Sequence, residues 1–92
     1  MRGYRVEIDR RLARRIKKLD RQVRLLLDSY IKTHLAGATD PGKYGRPLAG
    51  GLKGLWRYGI GDWRLIVQIV DEKLLIFALE FAGRGSVYRD KG

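Results

Sequence analysis

Two stretches of this 92-residue chain carry side chains suited to phosphate chemistry. The first is Glu80-Phe81-Ala82-Gly83-Arg84-Gly85-Ser86-Val87-Tyr88-Arg89. Two glycines beside Arg84 give a backbone that turns sharply and approaches another surface closely. Tyr88 and Arg89 then offer a phenol and a planar cation, both suited to phosphate and sugar. The same residues also read as a loop with a solvated arginine, followed by a terminal strand whose tyrosine packs on the core. The second stretch is Leu55-Trp56-Arg57-Tyr58-Gly59, a turn at 60–62, and Trp63 to Val70. Alternate residues of a strand share a face, which sets Arg64, Ile66, Gln68 and Val70 against Trp63, Leu65, Val67 and Ile69. A hairpin at 60–62 lets Arg57 and Arg64 project to the same side, where Gly59 and Gly61 leave room.

The remaining composition narrows the chemistry. His34 is the single histidine and there is no cysteine. A disulfide framework and a thiolate zinc site are therefore excluded, and a Ser-His-Asp set, which would have to be built on His34, is not expected. Asp62, Asp71, Glu72 and Asp90 mark turns and ends, so an acidic metal-binding cluster has no clear source; neither a metal nor a cofactor is expected. What remains is arginine, lysine and tyrosine, which can cleave RNA without metal. The 2′-hydroxyl of RNA is an internal nucleophile, and aligning it with the scissile phosphate while neutralising developing charge supplies most of what is needed. Arginine stays protonated, so it clamps phosphate but does not act as the base. Tyr88 is the candidate proton acceptor, since neighbouring cations lower a phenol's pKa. His34, near a helix end, reads as an ordinary surface histidine.

The elements that must position these residues follow from periodicity. Tyr4 to Ile8 alternates apolar and polar as a strand does. From Leu12 the apolar residues Ile16, Leu19, Val23, Leu26, Leu27, Tyr30, Ile31 and Leu35 recur at helical spacing. Asp9 and Asp20 are candidate N-caps; the stripe reads either as one long helix or as two with a break at Leu19 to Asp20, and the second reading is favoured. Residues 37–54 hold both prolines and read as a long loop bearing Lys43, Arg46 and Lys53. Three strands follow at 55–59, 63–70 and 74–81, joined by the short turns 60–62 and 71–73. The expected fold is α+β in a single domain over residues 1–92: a small antiparallel sheet, made of a meander and the N-terminal strand, with two helices on one face.

Charge points to the partner. Twenty Lys and Arg against ten Asp and Glu give a net charge of +10, which predicts a polyanion, with nucleic acid the default. Residues 1–34 hold eleven basic and four acidic side chains, so the excess sits mainly in the first third. An acidic protein partner, or a basic module that binds RNA without cutting it, remains open on charge alone. No run of about 18 apolar residues and no apolar leader segment are present, so a cytoplasmic protein with no membrane partner is expected.

Residues 45–89, and above all Leu52-Lys53-Gly54-Leu55-Trp56-Arg57-Tyr58 through Ile66 with Arg84 through Arg89, resemble the RelE/ParE superfamily of bacterial type II toxins. Residues 6–20 fit its first strand and helix, so the likeness spans nearly the whole chain. In its RelE branch the resemblance implies a ribosome-dependent endoribonuclease that cuts mRNA. Such a toxin is restrained by a cognate antitoxin, and the pair represses its own operon by binding operator DNA. By motif position, Arg64 corresponds to the arginine that binds substrate phosphate and Arg84 to the one that supports charge at cleavage. Tyr88 corresponds to the tyrosine that orients the nucleotide or assists proton transfer, and Arg57 falls where that branch often has a lysine. Lys43, Arg46, Lys53, Trp63 and Arg89 are expected, on their cationic or aromatic character, to be accompanying RNA contacts. Gly83 stands where the family commonly has histidine, and Gly85-Ser86 where it has a charged pair, which implies weakened cleavage. The ParE branch, whose members poison DNA gyrase, shares the fold and is the main rival.

Overall fold

A computed structural model describes residues 3–48 and 54–83 of the chain. The first strand, β1, spans Arg5–Ile8 and leads through Asp9 into helix α1, Arg10–Lys17. The Asp9 carboxylate accepts from the backbone N–H of Arg11 at 3.0 Å and of Leu12 at 3.3 Å, satisfying donors that have no partner inside the helix. Asp20 repeats the device for α2, Arg21–Tyr30, accepting from the Gln22 N–H at 3.0 Å. The expected break between two helices is present, with α1 ending at Lys17 and α2 beginning at Arg21.

Beyond Tyr30 the helix widens into a π-helical turn, Ile31–Leu35, in which the Ala36 N–H donates to the Ile31 carbonyl at 2.7 Å. This turn ends on Gly37, and reciprocal backbone bonds tie it to the start of β1. The Gly37 N–H donates to Tyr4 O at 2.7 Å, and the Tyr4 N–H donates to Ala38 O at 2.8 Å.

Four further strands are β2 (Arg46–Pro47), β3 (Leu55–Ile60), β4 (Trp63–Val70) and β5 (Leu75–Gly83), and the sheet order is β1-β5-β4-β3-β2. The meander is antiparallel as expected. Ile60 pairs with Trp63, leaving Gly61-Asp62 as a two-residue turn. Gly61 takes φ +62°, the sign that a type II′ hairpin requires at its first central position.

Three features differ from the sequence expectation. First, β1 lies parallel to β5, with Arg5 opposite Leu75 and Ile8 opposite Ala78, so the sheet is mixed rather than antiparallel throughout. Alternation tells which residues face inward but is the same whichever way a strand runs. Second, the segment read as a loop contains a 3₁₀ turn, Pro41–Tyr44, and the two-residue edge strand β2. A proline costs little at such an edge, where one side of the strand has no ladder to complete. Third, Ile66 pairs with Glu80 but Val67 with Ala78, so Leu79 is an extra residue bulged out of β5. The bulge shifts the alternation by one, and that is how Ile76, Ala78 and Phe81 all come to be buried on the same side.

The core lies between the sheet and the helices. Leu12, Leu27 and Leu35 meet Tyr58, Ile60, Leu65, Val67, Ile76, Ala78 and Phe81 there, and Tyr4, Val6, Ile16 and Trp56 pack around them. Both helices therefore cover one face, as their apolar stripe requires.

Candidate functional site

Burial of Tyr58, Ile60, Leu65 and Val67 toward the helices turns the alternate residues Arg57, Gly59, Arg64 and Ile66 to the opposite face. Register then fixes their neighbours. Arg46 lies opposite Arg57, Arg57 opposite Ile66, and Ile66 opposite Glu80. One row further along, Gly59 lies opposite Arg64 and Arg64 opposite Ala82. Three guanidinium groups thus approach from three adjacent strands, with the smallest residues beside Arg64.

They open onto a concavity of about 380 Å³ whose walls include Tyr44, Arg46, Arg57, Asp62 and Arg64, with Gly59 in its floor. A Cβ placed on Gly59 would meet nothing within 4 Å, so the space above it belongs to the concavity. Among the described residues the ion pairs are Arg5–Glu7 and Asp28–Lys32, both at 3.1 Å, and neither involves a groove arginine. Asp62 lines the same concavity, but no carboxylate among the described residues lies within ion-pairing distance of the three groove arginines. Such a set can grip a phosphodiester through charge-assisted, forked hydrogen bonds.

An aromatic column stands at the edge of the groove beside β2. Tyr58, fully buried, donates its hydroxyl to Pro41 O at 2.6 Å. Burial pushes its pKa up to about 12, with smaller contributions from Tyr30 and Asp40, so it is a neutral structural phenol. Tyr30 packs edge-on against Tyr58, with ring centroids 6.1 Å apart, and its own pKa is raised by burial and then by Tyr44. His34 sits between Tyr30 at 4.6 Å and Tyr44 at 4.5 Å. It is a member of this stack rather than an isolated surface histidine. Lys43 completes the column, its ammonium 5.5 Å from the Tyr44 ring centre.

The sequence-predicted residues divide clearly. Arg46, Arg57 and Arg64 share the groove, and Trp63 also borders it. The Trp63 ring, however, stacks on Phe81 at 4.7 Å and 15°, on the helix side of the sheet. Lys43 reaches the site through Tyr44. Lys53, Arg84, Tyr88 and Arg89 lie outside the described residues. Gly83, which precedes Arg84 in sequence, pairs with Trp63 next to the groove. Gly59 lies where the sequence reading left room for the arginines, whereas Tyr44, Asp62 and Glu80 were not foreseen as site residues. Tyr44 carried a legible signal, an aromatic residue between Lys43 and Arg46. Glu80 carried none, because the bulge at Leu79 decides which face it takes.

Comparison with known proteins agrees with the fold. A family model described as the ParE toxin of the type II toxin-antitoxin system, parDE, matches residues 6–88. No curated protein sequence matches significantly. Among solved structures, the RelBE2 toxin–antitoxin complex from Mycobacterium tuberculosis superposes with a TM-score of 0.78 at 24% identity, covering 89% of this chain and 99% of that one. A variant of the Escherichia coli toxin RelE in the free state gives 0.73 at 22% identity, covering 96% and 92%. The RelE–RelB complex from Pyrococcus horikoshii gives 0.64 at 20% identity, covering 90% and 97%. These likenesses establish a shared fold, and the family model spans well over half of the sequence. The chain belongs to the ParE toxin family of type II toxin–antitoxin systems.

Proposed function

We propose that this toxin is a ribosome-dependent endoribonuclease that cleaves mRNA by attack of the 2′-hydroxyl on the adjacent phosphate. The observation that carries the reading is the convergence of Arg46, Arg57 and Arg64 on one groove with no carboxylate partner among the described residues. In this scheme Arg57 and Arg64 grip the scissile phosphate. The 2′-oxygen forms its bond to phosphorus as the bond to the 5′-oxygen breaks, leaving a 2′,3′-cyclic phosphate and a 5′-oxygen that takes a proton from water to become a hydroxyl. Tyr88 takes the proton from the nucleophile, and Arg84 offsets charge on the phosphoryl oxygens, as the resemblance of the Arg84 to Arg89 motif suggests. Lys43, Arg46, Lys53, Trp63 and Arg89 hold the flanking RNA.

The RelBE2 and RelE–RelB structures are toxin–antitoxin complexes, which supports a cognate antitoxin as the restraining partner of this chain too. Control of operator DNA by the pair follows from the same reading.

Expression of the chain in a bacterial host, followed by mapping of RNA ends on stalled ribosomes, tests the proposal. Cuts within codons at the decoding site are expected, with Arg84→Ala and Tyr88→Ala relieving growth arrest while leaving the fold intact. Wild-type toxicity in Tyr88→Ala would remove that residue from the mechanism. The family model's ParE description supports a second reading, inhibition of DNA gyrase. Intact messages with trapped gyrase–DNA breaks would favour it over the nuclease.

A further inference from the structure

Tyr44 is the exposed end of the aromatic column and has no task in the fold that demands its exposure. Half of its surface is open to solvent, at 50%. It nonetheless borders the arginine groove, and His34 backs its ring at 4.5 Å. His34 rests on Tyr30, and Tyr30 on the fully buried Tyr58, so the ring is anchored through to the core. The short Pro41–Tyr44 turn that carries it is held by the Tyr58 hydroxyl on Pro41 O. An exposed aromatic face, immobilised from behind and flanked by three guanidinium groups, has the composition of a site for single-stranded nucleic acid. Cations hold the backbone in such sites, and a ring takes a base.

We propose that Tyr44 is a nucleobase-stacking platform that receives one base of a single-stranded RNA whose phosphates lie on Arg46, Arg57 and Arg64. The proposal rests on the RNA-binding reading above and adds to it a subsite for the base. Lys43 already sits over the ring, but an exposed cation–π contact is weaker than a base stack. The incoming base displaces the ammonium, which then meets a neighbouring phosphate. Because every base has a π-face, the subsite contributes affinity and alignment more than sequence choice.

The test is a fluorescence anisotropy titration with a labelled five-nucleotide 2′-O-methyl RNA, which cannot be cleaved, and with the same oligomer made wholly abasic. Tyr44→Ala and Tyr44→Leu are expected to weaken binding of the base-bearing oligomer by about tenfold, while Tyr44→Phe and Tyr44→Trp retain it. Binding of the abasic oligomer is expected to be the same in all four variants. Unchanged affinity for the base-bearing oligomer in Tyr44→Ala, with affinity lost in Arg64→Ala, overturns the platform and leaves the RNA reading standing. Equal losses for both oligomers in Tyr44→Ala also overturn it, since the ring would then only support the loop. No binding of either oligomer by the wild-type chain defeats the RNA reading itself.

Discussion

Arg64 is flanked across the sheet by Gly59 on one side and Ala82 on the other, and those small neighbours decide what its guanidinium can reach. Gly59 is weakly suited to a strand, where it loses entropy and packs nothing. Its place there is accounted for by the empty space above it, since a Cβ would contact nothing within 4 Å. Gly59→Val is therefore expected to fold at least as stably as the wild type, because valine suits a pleated surface. The isopropyl group would fill the floor between Arg57 and Arg64 and lower RNA affinity. Thermal unfolding and an RNA titration on the same preparation check this; a valine variant that binds like wild type places the ligand elsewhere. The shared face of Arg57 and Arg64 was legible in sequence because two-residue periodicity and a short turn suffice to fix it. Tyr44 was harder to read, since its ring is placed by His34 from a separate helical segment, and His34 in turn rests on Tyr30.

At the scale of elements, boundaries set by local chemistry were readable and pairings set by distant partners were not. Asp9 and Asp20 announce both helices because a cap acts within three residues. The parallel alignment of β1 on β5, the bulge at Leu79 and the edge strand β2 all depend on which strand lies alongside. The link between β3 and the Pro41–Tyr44 turn is of this second kind, made by the Tyr58 hydroxyl on Pro41 O at 2.6 Å. Tyr58→Phe would leave that carbonyl without its donor and is expected to cost about 1 kcal/mol at neutral pH. The pH dependence runs the other way. The folded pKa of about 12 stands above the ordinary value of 10.0, so this phenol's contribution is intact below about pH 10. It is lost as pH rises toward about 12, where the unfolded chain gives up a proton that the folded one keeps. Urea unfolding at pH 8 and pH 11 should show the deficit of Tyr58→Phe shrinking at the higher pH. Tyr4, raised by its bond to Asp71, and Tyr30, raised by burial, leave some alkaline loss in both proteins. Parallel declines would show that Tyr58 is not the group responsible.

At the scale of the whole molecule, two of the surfaces formed by the described residues gather positive charge, and they differ in reach. The groove arginines face away from the helices, whereas Arg10, Arg11, Arg14, Arg15, Lys17 and Lys18 are exposed along α1 on the other side of the sheet. The smallest extent of the molecule is 23 Å, against a Debye length of about 8 Å at physiological salt. A short oligonucleotide in the groove is therefore screened from most of the α1 charge, while a body as large as a ribosome can meet both surfaces. Arg10 with Arg14, and Arg11 with Arg15, are like-charge neighbours four apart, which disfavours the helix by a few tenths of a kcal/mol per pair. Changing Arg10, Arg11, Arg14 and Arg15 together to glutamine is thus expected to leave stability unchanged or slightly raised. If the groove holds the RNA as proposed, affinity for the five-nucleotide RNA and its salt dependence should stay near wild type, because the counterions released are those of phosphates in the groove. Affinity for ribosomes should fall, and its salt dependence should flatten by roughly 0.7 to 0.9 in the log–log slope for each phosphate contact removed. Sedimentation with ribosomes across a salt series measures the second quantity and anisotropy the first. A fourfold variant that loses both equally would mean that the two surfaces act as one continuous footprint. One that loses neither would make the α1 charge a solvated face without a nucleic-acid partner.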